Sequence, residues 1–141
     1  MTVYADSSFV VALYVYEVHS AEARQRTASS PLIWFTPLHS AEWSHAMGQH
    51  VFQGKMSAAQ SQDVERNLKK DRAAGLWMET EVPEGAFELC SDLARRYASR
   101  FGMKTLDTLH VACALELKAE RFWTFDERQA KLAKAAGLKI A

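Results

Sequence analysis

The chain has 141 residues, 48% of them hydrophobic and 24% charged, and its 17 basic and 17 acidic side chains leave it formally neutral. That size and balance point to one globular domain, residues 1–141, burying about 68% of the surface its unfolded chain exposes, and they argue against disorder and against a strong nonspecific grip on nucleic acid. The longest apolar run, Phe9 to Tyr16, is too short to span a bilayer and follows Asp6 with no basic residue before it, so neither a membrane segment nor a signal peptide is expected and a cytoplasmic location is.

Thr2–Ala5 is the first strand pattern, short and rich in branched and aromatic residues, and residues 8–29 read as one or two helices. Ile33–Thr36 is a second strand pattern, followed by a helix from about Leu38 to Gln53. Ser57 with Gln60 resembles a capping box for a helix that ends near Gly75, and Leu76–Glu79 is the third strand pattern. Pro83 opens a helix in which Phe87, Cys90, Leu93, Ala94, Tyr97 and Phe101 recur at helical spacing. Thr105 to Leu117 is apolar on almost every side, which predicts a central, buried helix. Arg121–Thr124 is the fourth strand pattern, the last helix begins at Asp126 and stops before Gly137, and Leu138–Ile140 is the fifth strand pattern.

Strands alternating with helices imply right-handed crossovers and a mostly parallel sheet of about five strands, covered by helices on both faces. Ligands of such sheets sit beyond the carboxyl ends of the strands, where the strand order reverses. Asp6 directly follows the first strand pattern, and Asp126 follows the fourth. Cys90 and Cys113 fall in apolar helical patterns and read as small buried side chains, consistent with a reducing compartment. The first fifty residues hold only Arg24 and Arg26 as cations; Lys69, Lys70, Arg72, Arg95, Arg96, Arg100 and Lys104 lie beyond, as solvated helix faces or as a phosphate-guiding surface.

The acidic residues carry the chemistry, and each has a structural alternative. Asp6 can cap the helix after it, Asp126 can cap the last helix with Gln129 as its capping-box partner, and Asp107 suits the first turn of its helix. Glu42 is harder to explain by capping, because Leu38, Ala41 and Ala46 place it on or near a face that meets the core. Burying an ionised carboxylate costs several kcal/mol (roughly) unless a cation or hydrogen bonds compensate it. Mg²⁺ or Mn²⁺ prefer such oxygen ligands, and paired ions can clamp a phosphodiester and activate water. Glycine-rich phosphate loops, a serine elbow and an HExxH helix are all absent. His39, His45 and His50 share a helix at spacings that do not align them, so partly exposed histidines are expected there and not a zinc site. His110 faces the same side of its helix as Asp107, as a carboxylate partner or as a satisfied core histidine.

The stretches VYADSSFVVAL, TPLHSAEWSHAM, LDTLHVACAL and FWTFDERQAKLAKAAGLKI, in that order, resemble the PIN-domain family and, within it, the VapC toxins of toxin–antitoxin pairs. The similarity runs over essentially the whole chain. It implies a three-layer α/β/α sandwich and a Mg²⁺- or Mn²⁺-dependent endoribonuclease. The family's acids fall on Asp6, Glu42, Asp107 and Asp126, and its hydroxyl residues on Ser8 and Thr124, orienting water or a carboxylate. Asp6 and Asp107 are the expected primary ligands, with Glu42 and Asp126 completing the site directly or through water. The resemblance further implies an RNA substrate, a cognate antitoxin and a homodimer, with Trp43 and the helix of residues 57–75 as candidate dimer surfaces. Trp43 and His45 depart from the family's usual small or aliphatic residues; a base-stacking wall is the other role open to Trp43. The competing readings are a PIN-type nuclease of RNA processing or decay, a non-catalytic RNA- or protein-binding module, and an unrelated small phosphatase. A short reading frame immediately upstream would favour the toxin.

Overall fold

The computed structural model describes residues 1–140 and alternates strands with helices. In chain order they are β1 (Thr2–Ala5), α1 (Ser7–Tyr14), α2 (Ser20–Thr27), β2 (Leu32–Phe35), α3 (Pro37–Phe52), α4 (Ala58–Ala73), β3 (Trp77–Glu79), α5 (Ala86–Phe101), α6 (Thr105–Glu116), β4 (Arg121–Trp123) and α7 (Glu127–Ala135). The strands pair in the order β3-β2-β1-β4, all parallel. Parallel neighbours need long crossovers, and the helices supply them.

Alternation along the strands splits the core in two. Val3, Ala5, Ile33, Phe35, Trp77 and Trp123 pack with Phe9 of α1, Trp43 and Met47 of α3, and Leu68 of α4. Tyr4 and Phe122 point the other way, onto Cys90 and Leu93 of α5, Leu109 and Val111 of α6, and Leu132 of α7. A period of two in the strands thus gives each face its own helical layer, the expected α/β/α sandwich. The central position expected for α6 is met: residues from Thr108 to Ala114 are all buried.

Among the described residues the sheet has four strands, not five. Leu138 N–H turns back to Ala133 O at 3.0 Å, closing the end of α7, so residues 138–140 add only an Arg121–Lys139 bridge beside β4. Residues 8–29 form two helices, because Ser20 Oγ accepts from Glu17 N–H and donates to Val15 O, fixing a turn between α1 and α2. Helix α5 starts at Ala86 and not at Pro83; the proline begins a turn that Ala86 N–H closes onto Pro83 O at 3.0 Å. A Cβ on Gly85 in that turn would stand 2.8 Å from Glu116 Oε1, the tip of an exposed side chain free to swing aside. The Ser57–Gln60 capping box forms in both directions. Among the described residues no helix is long and apolar enough to cross a membrane.

Candidate active site

β1 and β4 are neighbours although the chain visits two other strands between them, so the strand order reverses at this pair. The crevice beyond their carboxyl ends is where an open parallel sheet holds ligands. Asp6 leaves β1 and caps α1, accepting from Phe9 N–H at 3.0 Å, while Ser8 Oγ lies 2.9 and 3.0 Å from its two oxygens. Thr124 leaves β4; its Oγ1 lies 3.1 Å from Asp6 Oδ2 and 2.7 Å from Gln129 Oε1, and accepts Asp126 N–H at 3.0 Å. One hydroxyl proton therefore serves two acceptors.

Asp126 caps α7, accepting from Arg128 and Gln129 N–H. The expected return arm of a capping box, from Gln129 to Asp126, does not form. Thr124 already takes the Asp126 N–H, and Gln129 is drawn inward, its Nε2 donating to Asp107 O at 3.1 Å. Gln129 is fully buried and ties α7 to β4 and α6.

Glu42 stands in the second turn of α3, its side chain 28% exposed. Its Oε1 accepts from Ser7 Oγ at 2.7 Å and meets His110 Nε2. His110 is buried, with its Nδ1 2.7 Å from the Tyr4 hydroxyl. It is both a core histidine and a carboxylate partner, so the two alternatives open from sequence coincide. Asp107 lies in the first turn of α6, half-buried, three residues before His110.

Burial is the main cause that pushes the Asp6 carboxyl above its ordinary value, only partly offset by the His110 imidazole and by hydrogen bonds from Phe9, Ser8 and Thr124. Asp107 is also raised, by burial first and then by the charges of Asp126 and Glu42. Burial pushes Glu42 up as well, but His110 and Ser7 outweigh it and hold the carboxyl below its ordinary value. Among the described residues no lysine or arginine forms an ion pair with any of the four acids. Nor do any three Asp, Glu, His or Cys side chains stand close enough together to hold an ion as placed. The acids are electrostatic neighbours at one end of the sheet, and not a closed coordination shell. Their donor chemistry, carboxylate oxygens with no lysine or arginine partner, fits a hard divalent cation.

Ser7, Ser8 and Glu42 open onto a groove of about 620 Å³ that Tyr16, His50 and Lys55 also line. Across the site, Arg128 Nη1 would lie 3.8 Å from a Cβ built on Gly102, next to the turn that carries the exposed Lys104.

Ser8 and Thr124 both bond Asp6. Ser7 and Tyr4 were not singled out, although Ser7 left a signal as a second hydroxyl beside Asp6; Gln129 was read only as the capping-box partner of Asp126. His39 is not surface-exposed: it is fully buried, its Nδ1 accepting Thr36 N–H and its Nε2 2.7 Å from Ala5 O, because it completes the α3 capping box. His45 is exposed and His50 bonds Ala46 O, so the three histidines go separate ways. Trp43 is neither a stacking wall nor a dimer surface. It is 2% exposed, packed in the core with its Nε1 donating to Glu65, because its helix turns that face onto α4.

An α/β/α sandwich with acids gathered where a parallel sheet reverses its order defines a class of small domains with a site at the strand ends. The family model of the PIN domain matches residues 3–135, and the chain belongs to the PIN domain family. Three solved structures share the fold. VapC20 of Mycobacterium tuberculosis, described as a sarcin–ricin loop cleaving toxin, superposes with a TM-score of 0.70 at 15% identity, covering 99% of this chain and 98% of that one. FitAcB from Neisseria gonorrhoeae gives 0.67 at 14% identity, covering 98% and 95%. VapBC2 from Rickettsia felis, bound to a DNA fragment from their promoter, gives 0.64 at 14% identity, covering 100% and 98%. No curated protein matches the sequence.

Proposed function

We propose that the chain is a divalent-metal-dependent endoribonuclease that hydrolyses RNA phosphodiester bonds and acts as the toxin of a VapBC-type toxin–antitoxin pair. The observation that carries this reading is the repulsion preserved at the sheet's switch point. Asp107 is raised by burial first and then by Asp126 and Glu42, carboxylates from two other elements, and among the described residues no lysine or arginine pairs with any of the three. A repulsion of this kind is relieved by a cation.

Asp6 and Asp107 would hold Mg²⁺ or Mn²⁺, with Glu42 and Asp126 completing the set directly or through water. A bound cation supplies Lewis acidity to the phosphodiester and makes a water more acidic. Thr124 and Ser8 orient Asp6, and Gln129 fixes the start of α6 and so Asp107. Lys104 and Arg128 guide phosphates at the rim. The sarcin–ricin loop activity of one structural neighbour supports RNA as the substrate, and the VapBC2 neighbour supports a cognate antitoxin partner. A homodimer is part of the reading; Trp43 takes no part in it, which leaves the outward face of α4, with Asp63, Arg66, Lys69 and Lys70, as the surface to examine.

The test is cleavage of a cellular RNA pool with and without Mg²⁺ or Mn²⁺, comparing wild type with Asp107→Asn. Metal-dependent cutting at discrete sites that the variant loses is the expected result. No cutting by folded wild-type protein under either metal would overturn the nuclease reading. Growth arrest by the wild-type chain expressed alone in a bacterial host, absent for Asp107→Asn, tests the toxin.

A further inference from the structure

Glu42 is gripped by only one of its oxygens. Ser7 Oγ donates to Oε1 at 2.7 Å and His110 Nε2 meets the same atom, while no described residue hydrogen-bonds Oε2. The residue lines the groove beside Ser8 and Lys55, so Oε2 is the oxygen left for something other than protein.

The far side of the imidazole is set as firmly. The Tyr4 hydroxyl lies 2.7 Å from Nδ1, and both rings are enclosed, Tyr4 at 0% and His110 at 2% exposure. Counting protons fixes the tautomer. A carboxylate only accepts, and Ser7 spends its single proton on Glu42, so Ser7 Oγ, 3.2 Å from Nε2, is left to accept as well. Nε2 faces two acceptors and carries the hydrogen, so in the neutral ring Nδ1 is left to take the phenol proton.

We propose that His110 is a positioning residue for Glu42: Tyr4 sets it as the Nε2–H tautomer, and with Ser7 it pins Oε1 so that Oε2 alone is presented to a divalent cation. The inference rests on the metal-dependent reading above. A free glutamate on a helix would lose side-chain rotamer freedom on binding an ion, and a partner that fixes it beforehand removes that cost. Groups that orient metal ligands commonly contribute about 10- to 100-fold to metal affinity.

Two measurements on the full chain test this. Long-range proton–nitrogen correlation spectra of the metal-free, histidine-labelled protein, with His110→Gln identifying the resonance, are expected to show a proton on Nε2 and none on Nδ1. A proton on Nδ1 overturns the proposal. Calorimetric titration with Mn²⁺ is expected to show His110→Leu weakened by about 10- to 100-fold, and His110→Gln, whose amide can still donate, nearer wild type. A folded His110→Leu that binds Mn²⁺ like wild type overturns the proposal and leaves the metal reading standing. Wild type failing to bind Mn²⁺ overturns the metal reading and the proposal with it. If His110→Leu does not fold, Ser7→Ala and Tyr4→Phe test the same chain from its two ends. Weaker Mn²⁺ binding in both supports the proposal, and unchanged binding in either overturns it.

Discussion

Thr124 Oγ1 stands 3.1 Å from Asp6 Oδ2, so the first residues beyond β4 and β1 hold one another across the point where the strand order reverses. The same hydroxyl reaches Gln129 and accepts the Asp126 N–H, which makes one side chain the junction of β1, β4 and α7.

Thr124→Val keeps the shape but removes a donor and an acceptor from this junction. It is expected to destabilise the fold by about 1–3 kcal/mol, the cost of buried polar groups left unpaired. Thr124→Ser should restore most of that stability. Urea denaturation of the two variants and wild type makes the comparison.

Asp107→Asn should abolish metal-dependent RNA cleavage while raising the melting temperature of the metal-free protein by roughly 2 °C. The gain follows from removing a carboxylate that burial, Asp126 and Glu42 all disfavour, and it stays small because the side chain is only half-buried. Mn²⁺ at about 100 times its dissociation constant should stabilise wild type by about 2.7 kcal/mol and the variant by much less. Thermal melts with and without Mn²⁺ read both effects.

His39 makes stability fall with acid. Burial foremost, with His110 adding, lowers its pKa from 6.5 to about 3. Between those values the unfolded chain binds the extra proton and the folded one does not. The contribution is therefore complete above the unfolded pKa and is lost as pH falls toward 3, by at most about 1.4 kcal/mol per pH unit. Asp6 and Asp107 act with the opposite sign: their raised pKa values favour the fold at low pH, and that benefit is lost as pH rises through the folded value. Chemical denaturation across this range, wild type against His39→Gln, isolates the histidine: the variant should show the shallower loss.

Lys104→Ala and Arg128→Ala should raise KM for RNA with little change in kcat, because these exposed cations lie three residues before Asp107 and two after Asp126 in the chain and, on the proposed function, guide phosphates. Each should also lower the dependence of log affinity on log salt by about 0.7, the share of one phosphate contact on a single strand. Steady-state cleavage between about 50 and 200 mM salt is the assay; an unchanged salt slope would remove both residues from the substrate path.

Much of this was legible in the residues. The short branched and aromatic runs located all four strands, and the helical spacing of apolar residues located the helices between them. Ser57 with Gln60 declared a cap that forms as written. The four acids could be singled out because carboxylates in apolar helices need partners, and because Asp6 directly follows the first strand pattern and Asp126 lies just past the fourth. The failures have a common cause. Leu138–Ile140 has strand character, but whether it pairs depends on where the end of α7 leaves it beside β4. Trp43 and His39 read as surface groups because their helix has no uniform apolar face; their burial is created by α4 and by the α3 cap.

By itself the sequence determined the alternating architecture, the parallel sheet and the order of the acids along the chain, because these follow from local periodicity and crossover handedness. Only the tertiary structure decided what each acid touches. Asp6 meets Thr124, 118 positions away, Glu42 meets His110, 68 positions away, and Gln129 leaves its expected local partner for Asp107 O. Such contacts are set by strand order and by competition for single protons, and neither leaves a periodic trace in a linear chain.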